Sequence, residues 1–171
     1  MRLQEEGLVE VFPQHATVVS PIDLEKARQG QFLRRSVELE IVRTLAMKPD
    51  PASLERLRSL IRQQSTFAKF GEYAAFIGAD QAFHKAMYDS AGASELWQVV
   101  TRHGGHIDRL RRLHLPVPGK MRDVLRDHKS IVDAIEAGKP EEAQLRLREH
   151  LSRSLGFVKN LKVSHPQYFR R

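Results

Sequence analysis

The sequence predicts an all-α protein, an antiparallel bundle of six to seven helices preceded by a small β-hairpin. Three observations predict it. From Ser20 onward, apolar residues recur every three or four positions, the spacing of a single helix face. Proline and glycine cut this pattern into helix-length pieces at Pro49-Asp50-Pro51, Gly71, Ala91-Gly92, Leu115-Pro116-Val117-Pro118-Gly119 and Gly138, residues that break or end helices. The first twenty residues instead carry β-branched runs. With 171 residues, 41% of them hydrophobic and 29% charged, the chain suits one domain with a real core, or one domain plus a small appendage.

Taken in order, Leu8-Val9-Glu10-Val11-Phe12 and Thr17-Val18-Val19-Ser20-Pro21 flank the polar Pro13-Gln14-His15-Ala16, which reads as a hairpin. A lone hairpin is marginal in water and needs a surface to pack on. Asp23 can cap a helix from about 24 to 47, with Leu33, Val37, Ile41 and Leu45 on one stripe. A second helix, about 52 to 69, carries Leu54, Leu57, Leu60 and Ile61. The third starts near Tyr73 and stops near Ala91-Gly92. The fourth, about 94 to 114, takes Ser94 as its cap and is weakened midway by Gly104-Gly105, each glycine costing roughly 1 kcal/mol against alanine. A kink or a close backbone approach is expected there. The fifth, about 120 to 137, aligns Val124, His128, Ile131 and Ile135. The sixth, about 140 to 162, opens on Pro140 and aligns Ala143, Leu147, His150, Leu151 and Leu155. A basic, frayed tail is expected from 164 to 171. The expected divisions are therefore 1–21, 22–163 and 164–171.

Composition narrows the chemistry. With no cysteine, disulfides, thiolate catalysis and cysteine-bound zinc are excluded, so a metal would need His, Asp or Glu. No apolar run approaches the ~18 residues of a membrane span, and the start lacks the apolar segment of a signal peptide. A cytoplasmic protein is the expectation. The net charge of +7 favours an anionic partner, whether nucleic acid, membrane surface or small acid. Arg102, Arg109, Arg111, Arg112, Lys120, Arg122, Arg126 and Lys129 concentrate it; most read as a solvated helix face, with one or two arginines free to meet an acidic ligand.

The most informative stretch is Asp80-Gln81-Ala82-Phe83-His84. Asp80 and His84 stand four apart within the stripe of Tyr73, Phe76, Ile77, Phe83 and Met87, so both point toward the core. A buried carboxylate needs a cation or several donors, and this pair is half of a divalent-metal site. The competing reading is an Asp–His pair satisfied within the core. His128 and His150 add inward imidazoles from two further helices, and bundle interiors are a usual place for such sites. One carboxylate and three imidazoles suit Zn, Ni, Mn, Fe or Co. His15, His103, His106, His114 and His165 are weaker candidates by position.

Asp80-x-x-x-His84, His128-Lys129-Ser130-Ile131-Val132-Asp133-Ala134-Ile135, Leu147-Arg148-Glu149-His150-Leu151 and Arg34-Arg35-Ser36-Val37-Glu38 together resemble the FCD domain, the ligand-binding domain of FadR-type GntR transcriptional regulators, over about residues 23 to 158. The resemblance implies a non-enzymatic, ligand-responsive regulator. It further implies a divalent ion (zinc, nickel or manganese) on Asp80, His84, His128 and His150, a small carboxylate effector, a DNA operator and a homodimer. Arg34 and Arg109 are candidates to hold the effector, against a surface-charge role. Residues 3 to 21 resemble the end of a recognition helix and the wing of a winged helix-turn-helix, with Arg2 and His15 as remnants of the DNA-binding surface. The wing tip departs from the family's Arg-Gly, reading His15-Ala16. The helices that would precede Met1 are absent, which implies a truncated product, a mis-set start or a fragment. Two other functions compete: a metal-dependent enzyme on the same four residues, and a dimerisation partner that does not itself bind DNA.

Overall fold

The computed structural model describes residues 2–153 and 155–170. It opens with a helical turn, α1 (Arg2–Glu5), then an antiparallel hairpin of β1 (Val9–Phe12) and β2 (Ala16–Val19), in which Val9 pairs with Val19 and Phe12 with Ala16. The hairpin expected from sequence is present, with His15 exposed at its tip. The helices follow as α2 (Leu24–Met47), α3 (Pro51–Phe70), α4 (Tyr73–Ser90), α5 (Ser94–Arg102), α6 (Gly105–His114), α7 (Lys120–Glu136), α8 (Pro140–Ser152) and α9 (Val158–Ser164), with a 3-10 turn at Pro166–Tyr168.

The boundaries have local causes. Asp23 Oδ1 accepts from the backbone N–H groups of Glu25 and Lys26, capping α2, and Asp50 does the same for α3 through Ser53. Gly71 ends α3 at φ 69°, in the left-handed region where a side chain would be strained.

The main core joins α2, α3, α4, α7 and α8 through Ile41, Val42, Leu57, Phe83, Met87, Ile131, Ile135, Leu147 and Leu151, all buried. A second cluster, built from Ile22, Ala27, Ile107, Leu110, Leu161 and Phe169, ties the linker after the hairpin to α6, α9 and the C-terminal segment. A third, Phe76, Leu115 and Val124, lies between α4 and the start of α7.

Three local expectations are corrected. The helix expected over 94 to 114 is two helices, broken at His103-Gly104. The close approach expected there also exists, since a Cβ on Gly30 of α2 would collide with the His103 carbonyl oxygen. Ser94 does not cap α5: it is the first helical residue, and its hydroxyl donates to Asp89. The helix expected over 140 to 162 stops at Ser152 and resumes as α9, because the second cluster offers Leu161 a separate place to bury. Finally, the C-terminal segment through Arg170 is docked. Ile22 N–H donates to the Tyr168 carbonyl, Arg170 N–H donates to the Ile22 carbonyl, and Phe169 is buried.

Candidate metal centre and adjoining cavity

Asp80 and His84 from α4, His128 from α7 and His150 from α8 converge, each offering one ligand atom, all within 4.8 Å of one another and all buried. Three helices thus deliver one carboxylate and three imidazoles to a single point.

The partners of these side chains fix how they present themselves. His84 Nδ1 lies 2.9 Å from Glu38 Oε2 and His150 Nδ1 lies 3.3 Å from Asp127 Oδ2; a carboxylate only accepts, so both rings carry their proton on Nδ1. His128 Nδ1 lies 2.9 Å from Gln64 Oε1. The Gln64 amide nitrogen is committed to the Ala79 carbonyl at 3.1 Å, so its oxygen accepts and His128 also carries the proton on Nδ1. Every Nε2 is then a bare lone pair. Two of them, on His128 and His150, face each other at 3.3 Å, His84 Nε2 has no hydrogen-bond partner, and neither does Asp80 Oδ1. Lone pairs turned on one another in a buried space lack a donor or a cation between them. The donor set therefore fits a divalent ion of borderline softness, and the outer carboxylates and amide supply the ring orientation such sites use.

Electrostatics agrees with neutral rings beside ionised acids. Burial pushes His84 down to about 4, against the opposing pull of Glu38. Burial likewise holds His128 well below its usual value, with His150 adding to the effect. Burial alone would raise Asp80, but Arg111, with both histidines and Arg34 nearby, holds it well below the carboxylate range. Glu38, fully buried, is brought to about 2 in spite of burial by Arg34 and His84. Arg34 Nε donates to Glu38 Oε1 at 2.7 Å.

A cavity of about 40 Å³ opens beside the cluster, with Asp80, Asp127 and His150 in its wall. Arg111 from α6 crosses it to donate to Asp80, and also contacts Asp108 at 3.4 Å. Lys120 lines the far side, and Phe76, Leu115, Val124 and Phe157 supply apolar walls.

The other candidate residues sit elsewhere. Arg34 is buried behind the cluster on Glu38, and Arg109 donates to the Ser20 carbonyl at 2.7 Å. The side chain of Arg2 lies outside the described residues. Sequence reasoning missed Glu38, Gln64, Asp127 and the placement of Arg111 and Lys120 in the cavity wall. Periodicity held part of that signal: Glu38 lies four past Arg34 and three before Ile41, Gln64 seven past Leu57, and Arg111 four past Ile107.

Comparison with known proteins gives a consistent set. The chain matches the FCD domain family over residues 31–153. It is 33% identical, over 168 residues, to an uncharacterized HTH-type transcriptional regulator in an unstable DNA locus of Streptomyces ambofaciens, covering 98% of this chain and 70% of that protein. It is 21% identical to the HTH-type transcriptional repressor RspR of Escherichia coli (strain K12), over 99% of this chain and 74% of the other. Among solved structures, E. coli McbR/YncC superposes with a TM-score of 0.78 at 16% identity, covering 93% of this chain and 80% of that one. A putative transcriptional regulator GntR from Rhodococcus sp. RHA1 gives 0.68 at 22% identity, covering 92% and 75%.

Proposed function

Since this chain belongs to the FCD domain family and is a transcriptional regulator of the GntR type, we propose that it senses a small organic acid through a divalent metal held by Asp80, His84, His128 and His150. The observation that carries this reading is the convergence of three Nε2 lone pairs and Asp80 Oδ1 on one buried point beside a cavity walled by Arg111 and Lys120. Zinc, nickel or manganese suits the donor set. When bound, the ion would supply Lewis acidity toward a carboxylate oxygen of the effector. The chain's own residues do the rest. Glu38, Gln64 and Asp127 hold the three rings in one tautomer, Arg111 is the guanidinium nearest an incoming carboxylate, and the apolar wall excludes water around it.

Occupancy has a route to the DNA-binding side. In this reading residues 1–21 are the closing part of a winged helix-turn-helix, residues 22–163 the sensing domain, and residues 164–171 a short tail. The short helix α6 touches both sides. Asp108 and Arg111 face the cavity. Elsewhere on the same helix, Gly105 lies against Leu8, Arg109 holds the Ser20 carbonyl, and His106 Nδ1 accepts from the Asp23 backbone N–H. A ligand that moves Arg111 therefore strains the seat of the wing, and in a cytoplasmic homodimer would change how two DNA-binding heads are held, shifting operator affinity by its preference for one arrangement.

The test is elemental analysis of untagged protein beside its His128→Ala and His150→Ala variants. About one equivalent of a divalent transition metal, lost in both variants, supports the reading. Absence of metal after reconstitution with zinc, nickel and manganese sinks it.

A further inference from the structure

The cavity beside the cluster carries a charge left over. Its other cations are matched: Arg111 by Asp80 and Asp108, Arg34 behind it by Glu38, and Arg153 by Asp127. Among the described residues, Lys120 has no hydrogen bond or ion pair for its ammonium, whose one recorded contact is with the Phe157 ring at 5.6 Å. It is nevertheless half-buried in the cavity wall. A desolvated ammonium without an anion is unfavourable, and burial does pull Lys120 below its ordinary value.

We propose, building on the metal-site reading above, that the effector is a short-chain dicarboxylate, with one carboxylate at the Asp80/histidine end and the second on Lys120. Position supports it. Lys120, Val124, Asp127 and His128 succeed one another along one face of α7. At 1.5 Å per residue, the backbones of Lys120 and His128 are about 12 Å apart along the helix axis. The lysine stem, leaning into the cavity, shortens that span to what a chain of a few carbons covers. The apolar walls at Phe76, Leu115 and Val124 suit the methylenes between the two ends. The charges also close. A divalent ion and Arg111, set against Asp80 and Asp108, leave one positive charge at the near end. Asp127 and Arg153 cancel, and Lys120 leaves a second at the far end. A dianion matches both, whereas a monoacid leaves Lys120 bare.

The test is calorimetric titration of zinc-loaded protein with acids paired by carbon number: succinate against butyrate, glutarate against valerate, adipate against hexanoate. In at least one pair the diacid should bind roughly ten-fold or more tighter, the worth of one charge-assisted hydrogen bond. Lys120→Met keeps the stem against Phe157 and removes the charge. It should collapse that preference to about two-fold or less (a difference under ~0.5 kcal/mol) while zinc content stays unchanged. Equal affinities within every pair, or a diacid preference that survives Lys120→Met, would overturn the proposal. Zinc content, measured on the same samples, reads the metal site separately: a protein that takes up no zinc yet shows a Lys120-dependent diacid preference overturns the metal reading and keeps this one.

Discussion

Asp127 reaches the metal cluster only through His150, and it has a second partner in Arg153 at 3.0 Å. It therefore separates ring orientation from fold stability. Asp127→Ala should lower metal affinity about 10- to 100-fold, the usual effect of losing a carboxylate behind a ligating histidine, while moving the stability of chelated protein by no more than ~1 kcal/mol. Competition against a calibrated chelator, with denaturant melts in parallel, measures both. Glu38 acts differently because it is the sole carboxylate counter-charge of buried Arg34. Glu38→Gln should cost roughly 3 to 5 kcal/mol, as breaking a buried pair does. Acid acts on the same residues. His84 titrates near 4 when folded and near 6.5 when free, so its share of stability is complete above 6.5 and is lost as pH falls toward 4. Glu38, near 2 against 4.5, adds a further loss between 4.5 and 2. Melts of chelated protein should weaken on acidification from pH 6.5, by on the order of 1 kcal/mol per unit for each group; a flat profile from 6.5 to 4 would remove His84 from that account. At this scale the sequence was legible where the ligands themselves sit in apolar stripes, as Asp80, His84, His128 and His150 do. It was not legible for Glu38 and Gln64, whose only mark is a polar residue in a helix stripe, which a solvated edge position would also leave.

Among the elements, the α5–α6 break shows why a glycine-weakened helix is hard to place. Gly104-Gly105 lowers helix propensity in either outcome, and what decides for a break is tertiary: α2 comes so close that Gly30 has no room for a Cβ beside the His103 carbonyl. The hairpin, the extent of α2 and the caps at Asp23 and Asp50 followed from local signals, because capping and turn chemistry act within a few residues. The break in α8–α9 and the docking of the C-terminal segment depend on the second apolar cluster, whose members are far apart in sequence. Gly30 gives a test with a sign to it. Replacing a glycine inside a helix by alanine ordinarily stabilises by roughly 0.5 to 1 kcal/mol. Gly30→Ala should instead destabilise by about 1 to 3 kcal/mol, as overpacking does, since the obstacle is backbone and cannot swing away. A rise in melting temperature would mean that α2 and α5 slide apart freely.

For the whole molecule, the cluster sits where α4, α7 and α8 meet, with α2 and α3 reaching it through Glu38 and Gln64. Five helices therefore share one set of facing lone pairs, and an ion placed there relieves a cost that all five carry. Binding confined to the folded state adds stability of RT ln(1 + [L]/Kd), about 4 kcal/mol when free metal exceeds Kd a thousand-fold. At roughly 2 to 4 °C per kcal/mol for a chain of this size, zinc-loaded protein should melt about 8 to 16 °C above chelated protein. The gain should vanish in His84→Ala, which removes a ligand from the centre of the bundle. The same ion bears on the wing, because Arg111 shares Asp80 with it while Arg109, on the same short helix, holds Ser20. Hydrogen exchange at the β1–β2 amides should therefore slow on metal loading by more than at the Gly71 turn, which is remote from α6 in sequence and lies between α3 and α4. Arg109→Ala should abolish that difference without changing the zinc-dependent rise in melting temperature. Hairpin protection that is indifferent to metal, or that persists in Arg109→Ala, would mean that α6 carries no signal between the cluster and the wing.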